Sequence, residues 1–341
     1  MGRMQNDLLG RGKTNRLGRG PSSWHPLRVR RPVMFALTFV LAIAILTVVA
    51  CELQRGAAET EGEPVRIGTW PEREATLLAS ILARLLETHG IPAEVVAFGH
   101  SRDARQAIEL KGVDVLPSYT GAVGIDEYGW SNVEGDVRSS FERVKRADEE
   151  NGLVWLSPTQ ANATFAFVTP GPPAKVARIQ TLSQLAGYVN DDSSARLCVD
   201  PEFAERPDGL ERIARIYSLR DEILEQQILH VSPAETVGRI ERGDCDGGLV
   251  TATDGQAWVA GLQPVQDDLR AFPAFVVAAV VTVELRESRP EVIEALAPFA
   301  EALTTARLAQ WNGRVILGES VETVASGATT RLRLTAAGKA D

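Results

Sequence analysis

Hydrophobic residues in the body of the chain alternate between short β-rich runs and stretches with helical spacing. The run Val65–Thr69 is typical of a strand, and residues 72–89 follow it with apolar side chains at the i, i+3 and i+4 spacing of one helix face. Gly90 is placed to end that helix. The pattern then predicts a strand at Ala93–Phe98, a helix at Asp103–Leu110 and a strand at Val113–Leu116. This alternation favours a parallel sheet with right-handed crossovers.

The same order of elements returns in the second half of the body. It predicts strands at Arg196–Val199, Ile228–Val231 and Gly247–Thr251, with helices at Pro207–Tyr217 and Ala234–Arg242. The segments AIELKGVDVLPSYTG and RIERGDCDGGLVTATDG also share their spacing of helix end, Gly, Asp, apolar strand, Thr and Gly. Two similar α/β lobes predict a two-lobed clamp. Ligands of such sheets bind beyond the carboxyl ends of the strands, here near Trp70, Tyr119 and Thr251–Asp254.

A separate apolar run, Val33–Ala50, precedes the body and ends at Cys51. Arg28, Arg30 and Arg31 flank it, and Val48–Cys51 resembles the cleavage box of a bacterial lipoprotein, in which the cysteine is lipidated. We therefore expect residues 1–31 to be a cytoplasmic basic segment, 32–51 a signal segment and 52–64 a tether. An uncleaved anchor helix is the main alternative. Either places the body on the extracytoplasmic face of the cell membrane.

Charge is divided unevenly along the chain. Residues 1–31 carry eight Lys and Arg and one Asp, a net charge of +7, whereas the whole chain is −9, which leaves −16 for the remainder. An acidic exported body is unsuited to binding nucleic acid or anionic lipid by charge. We expect a small ligand that is neutral, zwitterionic or cationic.

The chain has few residues that suggest a metal site or a catalytic site. Its four histidines lack metal-ligand spacing, and no P-loop is present, so we expect no cofactor, no metal and no enzymatic activity, and any ATP-driven step would belong to a partner. Cys198 and Cys245 are the other two cysteines. Outside the membrane they are candidates for a disulfide, although two buried small apolar residues would give the same pattern.

Six motifs between about Val65 and Val324 resemble the substrate-binding proteins of osmoprotectant importers for glycine betaine, choline and related compounds. In order they are IGTWPEREATLLASILARLLE, GVDVLPSYTG, VWLSPTQANATFAFV, DPEFAERPDGL, TATDG and AFPAFVVAAVV. The resemblance implies an α/β, periplasmic-binding-protein-like (type II) clamp with crossing strands near Thr164–Thr169 and Phe275–Val281. Lobe one would be residues 65–165 plus 276–341, and lobe two residues 166–275.

The resemblance also implies an aromatic box for a trimethylammonium group, which has no N–H to donate and is held by ring faces. The box positions are Tyr119, Phe165, Thr251 and Phe275, so one position lacks a ring, and the family's polar residue in the first helix is Ala75. Further candidates, each with a structural alternative, are Trp70 and Trp258 as replacement rings, Thr120 as a donor to a ligand carboxylate, and Asp254 as a partner for a cation or a helix cap. Glu72 and Glu74 are explained by the helix dipole.

The function implied is capture of a small quaternary-ammonium or zwitterionic solute by a monomeric lipoprotein, which delivers it to an ABC permease driven by a separate ATPase. The loss of a ring at Thr251 leaves a neutral polyol as an alternative ligand. A ligand-sensing lipoprotein without a transport role, and an extracytoplasmic enzyme, are the remaining alternatives.

Overall fold

The computed structural model describes residues 62–131, 135–172, 174–206 and 208–338. These residues belong to one compact unit, which starts at Glu61. The expectations for the basic segment, for the apolar segment with Cys51 and for the first part of the tether lie outside the described residues. Within the described ranges, no helix combines the length and the apolar character needed to cross a membrane.

The strands of the described chain form two five-stranded sheets, ordered β2-β1-β3-β10-β4 and β7-β6-β8-β5-β9. We call the parts of the molecule built on them the first and the second lobe. In chain order the strands are β1 (Val65–Thr69), β2 (Ala93–Ala97), β3 (Val115–Tyr119), β4 (Leu153–Trp155), β5 (Phe165–Thr169), β6 (Leu197–Val199), β7 (Ile228–His230), β8 (Gly247–Thr251), β9 (Gln263–Pro264) and β10 (Val277–Thr282).

Helices follow most of the strands. In chain order they are α1 (Arg73–Glu87), α2 (Ser101–Glu109), α3 (Thr120–Asp126), α4 (Val137–Glu149), α5 (Leu182–Asp191), α6 (Pro201–Glu205), α7 (Leu210–Tyr217), α8 (Asp221–Gln226), α9 (Pro233–Glu241), α10 (Gly255–Val259), α11 (Val283–Ser288), α12 (Pro290–Ala302), α13 (Thr305–Ile316) and α14 (Val321–Ala337), with a 3₁₀ turn at Lys175–Arg178.

Each sheet is mixed rather than parallel, which corrects the prediction from the alternating pattern. β1, β2 and β3 pair in parallel, as do β6, β7 and β8, and these six strands follow the predicted order. However, β10 enters the first sheet antiparallel to β3, and β5 enters the second antiparallel to β8. The reason is that each of these strands arrives directly from the other lobe, without a crossover helix to reverse its direction.

Two segments of the chain cross side by side between the lobes. The first leads from β4 to β5 and the second from β9 to β10. Ala163 N donates to Phe275 O and Val277 N donates to Ala161 O, both at 2.9 Å. On the first segment the paired residues Ala161 and Ala163 precede the predicted crossing, whereas on the second segment Phe275 and Val277 lie at the start of the predicted one. Most of each predicted crossing is a strand within a sheet, at residues 165–169 and 277–282. The lobe boundaries proposed from the sequence stay a prediction.

The apolar pattern of α1 forms much of the first core. Its predicted face is fully buried and packs with β1, β10 and α14 in one cluster; the buried leucines and isoleucine are Leu77, Leu78, Ile81, Leu82, Leu85 and Leu86. Burying each such side chain contributes about 1.5–3 kcal/mol. Gly90 follows with φ 73°, a left-handed conformation that turns the chain toward β2. The residues of β10 alternate between two core clusters, since that strand is covered on both faces.

A disulfide joins Cys198 and Cys245 in the second lobe, with their Cα atoms 5.8 Å apart. Cys198 lies in β6, and Cys245 lies two residues before β8. Both side chains are buried, at 0% and 2% exposure, and the bond ties β6 to the loop that leads into the neighbouring strand β8.

Candidate functional site

A cavity of about 790 Å³ lies between the two lobes, and we call it the principal cavity. It is at the carboxyl ends of β3 and β8, where the sheet pattern predicted a ligand. Five of the sequence-predicted site residues line it together, although they come from both lobes and from the crossing segments: Tyr119, Phe165, Thr251, Asp254 and Phe275.

Phe165 and Phe275 present two ring faces to this cavity. Their centroids are 6.3 Å apart and their planes meet at 80°, an edge-to-face arrangement. The ring of Phe203 packs against that of Phe165, with their centroids 4.7 Å apart. The backbone N–H of Phe275 donates to Oδ1 of Asn162 at 2.7 Å. Both rings are half-buried, so they are fixed by packing while one side of each remains accessible.

Tyr119 is the last residue of β3, and Thr120 begins α3 at once. The apolar run predicted that this strand ends at Leu116, but Pro117 is accommodated within it, opposite Ala279 of β10. The hydroxyl of Tyr119 donates to Oε1 of Glu74 at 2.9 Å. Burial, together with the negative charge of Glu74, holds the pKa of this phenol well above its ordinary value, so Tyr119 is a neutral donor.

Glu74 is the centre of a hydrogen-bond network that the sequence analysis missed. Nδ2 of Asn312, in α13, donates to Oε2 of Glu74 at 2.6 Å and to the carbonyl of Thr253, in the second lobe, at 2.9 Å. Burial raises the pKa of Glu74, and the hydrogen bonds oppose that rise. The position of Glu74 shortly after the carboxyl end of β1, where ligands of such sheets bind, could have identified it from the sequence. Nothing local in the sequence links it to Asn312, which is 238 positions away.

Thr251 and Asp254 follow β8 on the opposite wall. Thr251 is exposed and presents its side chain to the principal cavity. Asp254 also lines the cavity, and its Oδ1 accepts from Ala257 N at 2.8 Å, which is the helix-cap role that the sequence analysis considered.

Three other candidates lie outside the principal cavity. Thr120 is fully buried, and its hydroxyl donates to Ala274 O at 2.9 Å and accepts from Val276 N at 3.1 Å, so it binds a chain segment 154 positions away and not the local turn. Trp70 is only 8% exposed and lines a second, smaller cavity in the first lobe. Trp258 packs its ring over Gly313 of α13.

A cation that the sequence analysis did not single out lies beside the rings. Cζ of Arg206 is 5.6 Å from the ring centroid of Phe165. Its guanidinium donates two hydrogen bonds of 2.9 Å to Asp208, so its position is fixed by a bidentate pair. Arg206 lies in the motif DPEFAERPDGL, and its place in that motif is the sequence feature that could have identified it.

The lining of the principal cavity suits the binding of a small solute. Among the residues that the structure describes, no three metal-ligating side chains lie close enough together to hold an ion. The principal cavity instead combines aromatic faces, a hydrogen-bonded carboxylate and hydroxyl groups, which can enclose a small cation or zwitterion.

Comparisons with known proteins bear on the family and the fold. Residues 63–329 match the family described as the substrate binding domain of ABC-type glycine betaine transport system. A glycine-betaine-binding protein of Pseudomonas aeruginosa is 32% identical over 78% of this chain and 86% of its own length. The glycine betaine-binding protein YehZ of Escherichia coli is 26% identical over 80% of this chain and 90% of its own length.

The solved structure of apo YehZ from Escherichia coli superposes with a TM-score of 0.71 at 25% identity, covering 79% of this chain and 98% of that one. The two-lobed α/β fold predicted from the six motifs is therefore confirmed. The chain belongs to the family of substrate-binding domains of ABC-type glycine betaine transport systems.

Proposed function

We propose that this solute-binding protein captures a small quaternary-ammonium or zwitterionic solute in the principal cavity and delivers it, as a monomeric lipoprotein anchored at Cys51, to an ABC permease and its ATPase. The observation that carries the proposal is the group of Tyr119, Phe165 and Phe275 around one cavity, with the carboxylate of Glu74 hydrogen-bonded to Tyr119. A trimethylammonium group can be held only by ring faces and by negative charge, and this cavity offers both.

A zwitterionic solute also needs a partner for its carboxylate. Arg73 lines the principal cavity, and Arg206 lies beside Phe165. A guanidinium binds a carboxylate through two parallel hydrogen bonds, so Arg73 can orient the second end of a betaine, whereas Arg206 already makes such a pair with Asp208. The relatives named above are called glycine betaine-binding proteins, which supports the same ligand class for this chain.

Capture requires that the lobes move. The cavity is built from both of them, and the bridge from Glu74 through Asn312 to Thr253 spans the cleft. Rotation about the paired crossing segments would open the cavity, and ligand contacts to both walls would favour the closed arrangement.

Calorimetry on the soluble body with glycine betaine, choline, carnitine and a set of neutral polyols tests the ligand class. We expect saturable binding of at least one quaternary ammonium compound and none of the polyols. Because Thr251 puts a hydroxyl where a ring is expected, a polyol is the specific competitor. Tight binding of a polyol, with no binding of any quaternary ammonium, would overturn the proposal and leave the clamp intact.

Delivery is tested separately from capture. The loaded protein, added to its permease and ATPase in liposomes, is expected to raise ATP hydrolysis and solute uptake. Ligand binding without either effect would favour the sensing alternative.

A further inference from the structure

A second cavity of about 450 Å³ adjoins the principal cavity, and we call it the side chamber. It lies in the first lobe at the carboxyl end of β1, along the second half of β3 and against the start of α2. Tyr119 and Ala122 line both cavities, so the two spaces meet at these residues. Each volume falls within the range of about 300–1,000 Å³ that is typical of small-molecule sites. A solute the size of glycine betaine needs only one of them.

The walls of the side chamber are partly aromatic and partly hydroxylic. Trp70 contributes its ring, and its buried Nε1–H has no hydrogen-bond partner among the described residues. Ser101 and Ser118 add hydroxyl groups, and Leu116 and Val123 add apolar surface. Such a lining suits an uncharged group with a flat apolar face and a few polar atoms.

The charges around the side chamber disfavour an anionic occupant. Arg105 lines it, but its guanidinium is held by Asp148 at 2.7 and 2.6 Å and by Glu109 at 2.7 Å, so its charge is compensated. The other acidic and basic side chains that line it are two basic ones and three carboxylates: His100, Arg102, Asp103, Asp126 and Glu127. An anionic tail would meet net negative charge here, whereas an uncharged tail would not.

We infer that the side chamber receives the tail of a quaternary-ammonium solute longer than glycine betaine, and that this tail ends in an uncharged polar or aromatic group. The inference rests on the proposed function, because the ammonium head stays among Tyr119, Phe165 and Phe275. Tyr119, held by Glu74, and Ala122, whose side chain is a single methyl group, line both cavities, so a ligand that extends from one to the other would pass these two residues.

Two matched pairs of ligands test the inference on the unaltered protein. Choline and benzoylcholine share one head, and glycine betaine and the trimethylated betaine of histidine share another, while the second member of each pair adds a ring. At least one longer ligand is expected to bind about tenfold or more tightly than its shorter partner, because the added ring is buried against Trp70. It is also expected to displace the shorter ligand at a stoichiometry of one.

The outcomes separate this inference from the proposed function. If the short ligands bind and neither longer one binds more tightly, the inference is wrong and the proposed function stands. A longer ligand that binds together with glycine betaine, at a stoichiometry of two, would show a separate site and would also overturn the inference. If none of the four binds, the inference is wrong, and the calorimetry with carnitine and the polyols decides whether the proposed function fails as well.

A variant within the side chamber gives an independent test. Val123 lines this chamber but not the principal cavity and is only 8% exposed, so Val123→Phe should fill the space. The longer ligands are expected to lose their advantage, while the shorter ones keep their affinity within about twofold; Val123→Ile, which adds a single methylene, is the matched control. Unchanged binding of the longer ligands in a folded Val123→Phe protein would contradict the inference, and the ligand pairs decide the matter if that variant does not fold.

Discussion

The hydroxyl of Tyr119 donates a 2.9 Å hydrogen bond to Oε1 of Glu74, although the two residues are 45 positions apart in the chain. This contact joins the end of β3 to the first turn of α1 and fixes the phenol ring at the wall of the principal cavity. Because Asn312 binds the other carboxylate oxygen and also Thr253, the orientation of the ring is linked to the second lobe.

Tyr119→Ala is expected to weaken binding of a quaternary ammonium solute by about tenfold or more, since a cation–π contact in a desolvated site is worth about 2 kcal/mol. Tyr119→Phe keeps the ring and loses only the hydrogen bond to Glu74, so it should retain most of the affinity. Calorimetry on both variants measures the difference. Equal affinity in the wild-type protein and the Tyr119→Ala variant would show that Tyr119 does not contribute to ligand binding.

The affinity for a cationic ligand should depend on pH through Glu74. Burial raises the pKa of this carboxyl above its ordinary value of 4.5. A bound cation favours the ionised form, so the affinity for choline is expected to be low below the raised pKa and to increase as the pH rises through it. Glu74→Gln should remove this step and weaken binding at neutral pH by about 1 kcal/mol, about fivefold.

A control variant and a stability measurement test whether Glu74, and not another carboxylate, causes the pH dependence. Glu87→Gln, at the far end of α1 and paired with Arg84, is the matched control and should keep the wild-type pH profile. The folded state favours protonated Glu74, so the stability that this form contributes is lost as the pH rises through the raised pKa, and Glu74→Gln should not lower the melting temperature at neutral pH. An unchanged pH profile of choline affinity in Glu74→Gln would show that another group controls it.

The contact between α10 and α13 should be sensitive to a single methyl group. A Cβ at Gly313 would lie 2.4 Å from Cε3 of Trp258, which no real Cβ tolerates. Gly313→Ala is therefore expected to cost about 1–3 kcal/mol of unfolding free energy, and to weaken ligand binding by forcing the lobes apart. Gly187→Ala, where a Cβ meets nothing within 4 Å, is the control. Chemical denaturation gives the stabilities, and equal values for the two variants would disprove the close contact.

Removal of the disulfide should destabilise the second lobe. A bond that closes a loop of this length contributes about 3–5 kcal/mol in the chain-entropy model. The double variant Cys198→Ser with Cys245→Ser should unfold at correspondingly lower denaturant. Thiol titration of the denatured, non-reduced protein is expected to find neither of these cysteines free, and two titratable thiols would contradict the bond.

Lipid attachment is tested by Cys51→Ser, which should leave an uncleaved precursor in the membrane because the thiol that carries the lipid is gone. Mass spectrometry of the mature wild-type protein should find an acylated N-terminus at Cys51. A mature protein that begins at Met1 without an acyl group would instead identify an anchor helix.

Local patterns predicted the elements of the fold well. β1 and β8 begin and end where the apolar runs do, and α1 buries the face that its leucine spacing indicates. These features depend on neighbouring residues alone. The mixed character of the sheets was missed, because the direction of β5 and β10 depends on chain entry from the other lobe.

The candidate site was predicted less completely. Tyr119, Phe165 and Phe275 meet at one cavity as expected, since strand ends in a repeated topology converge. Trp70 does not join them, because it packs on the α2 side of the first sheet, among residues such as Ile108 and Phe141. The hydrogen bond from Asn312 to Glu74 could not be predicted from the sequence, because only the tertiary fold brings α13 beside the start of α1.

The most direct test of the central claim is a crystal structure of the soluble body with a bound quaternary ammonium solute. The account predicts density for the trimethylammonium head in the principal cavity, with its nitrogen within about 6 Å of the ring centroids of Tyr119, Phe165 and Phe275. A head group bound away from these three rings, or a solute bound outside the cleft between the lobes, would contradict it.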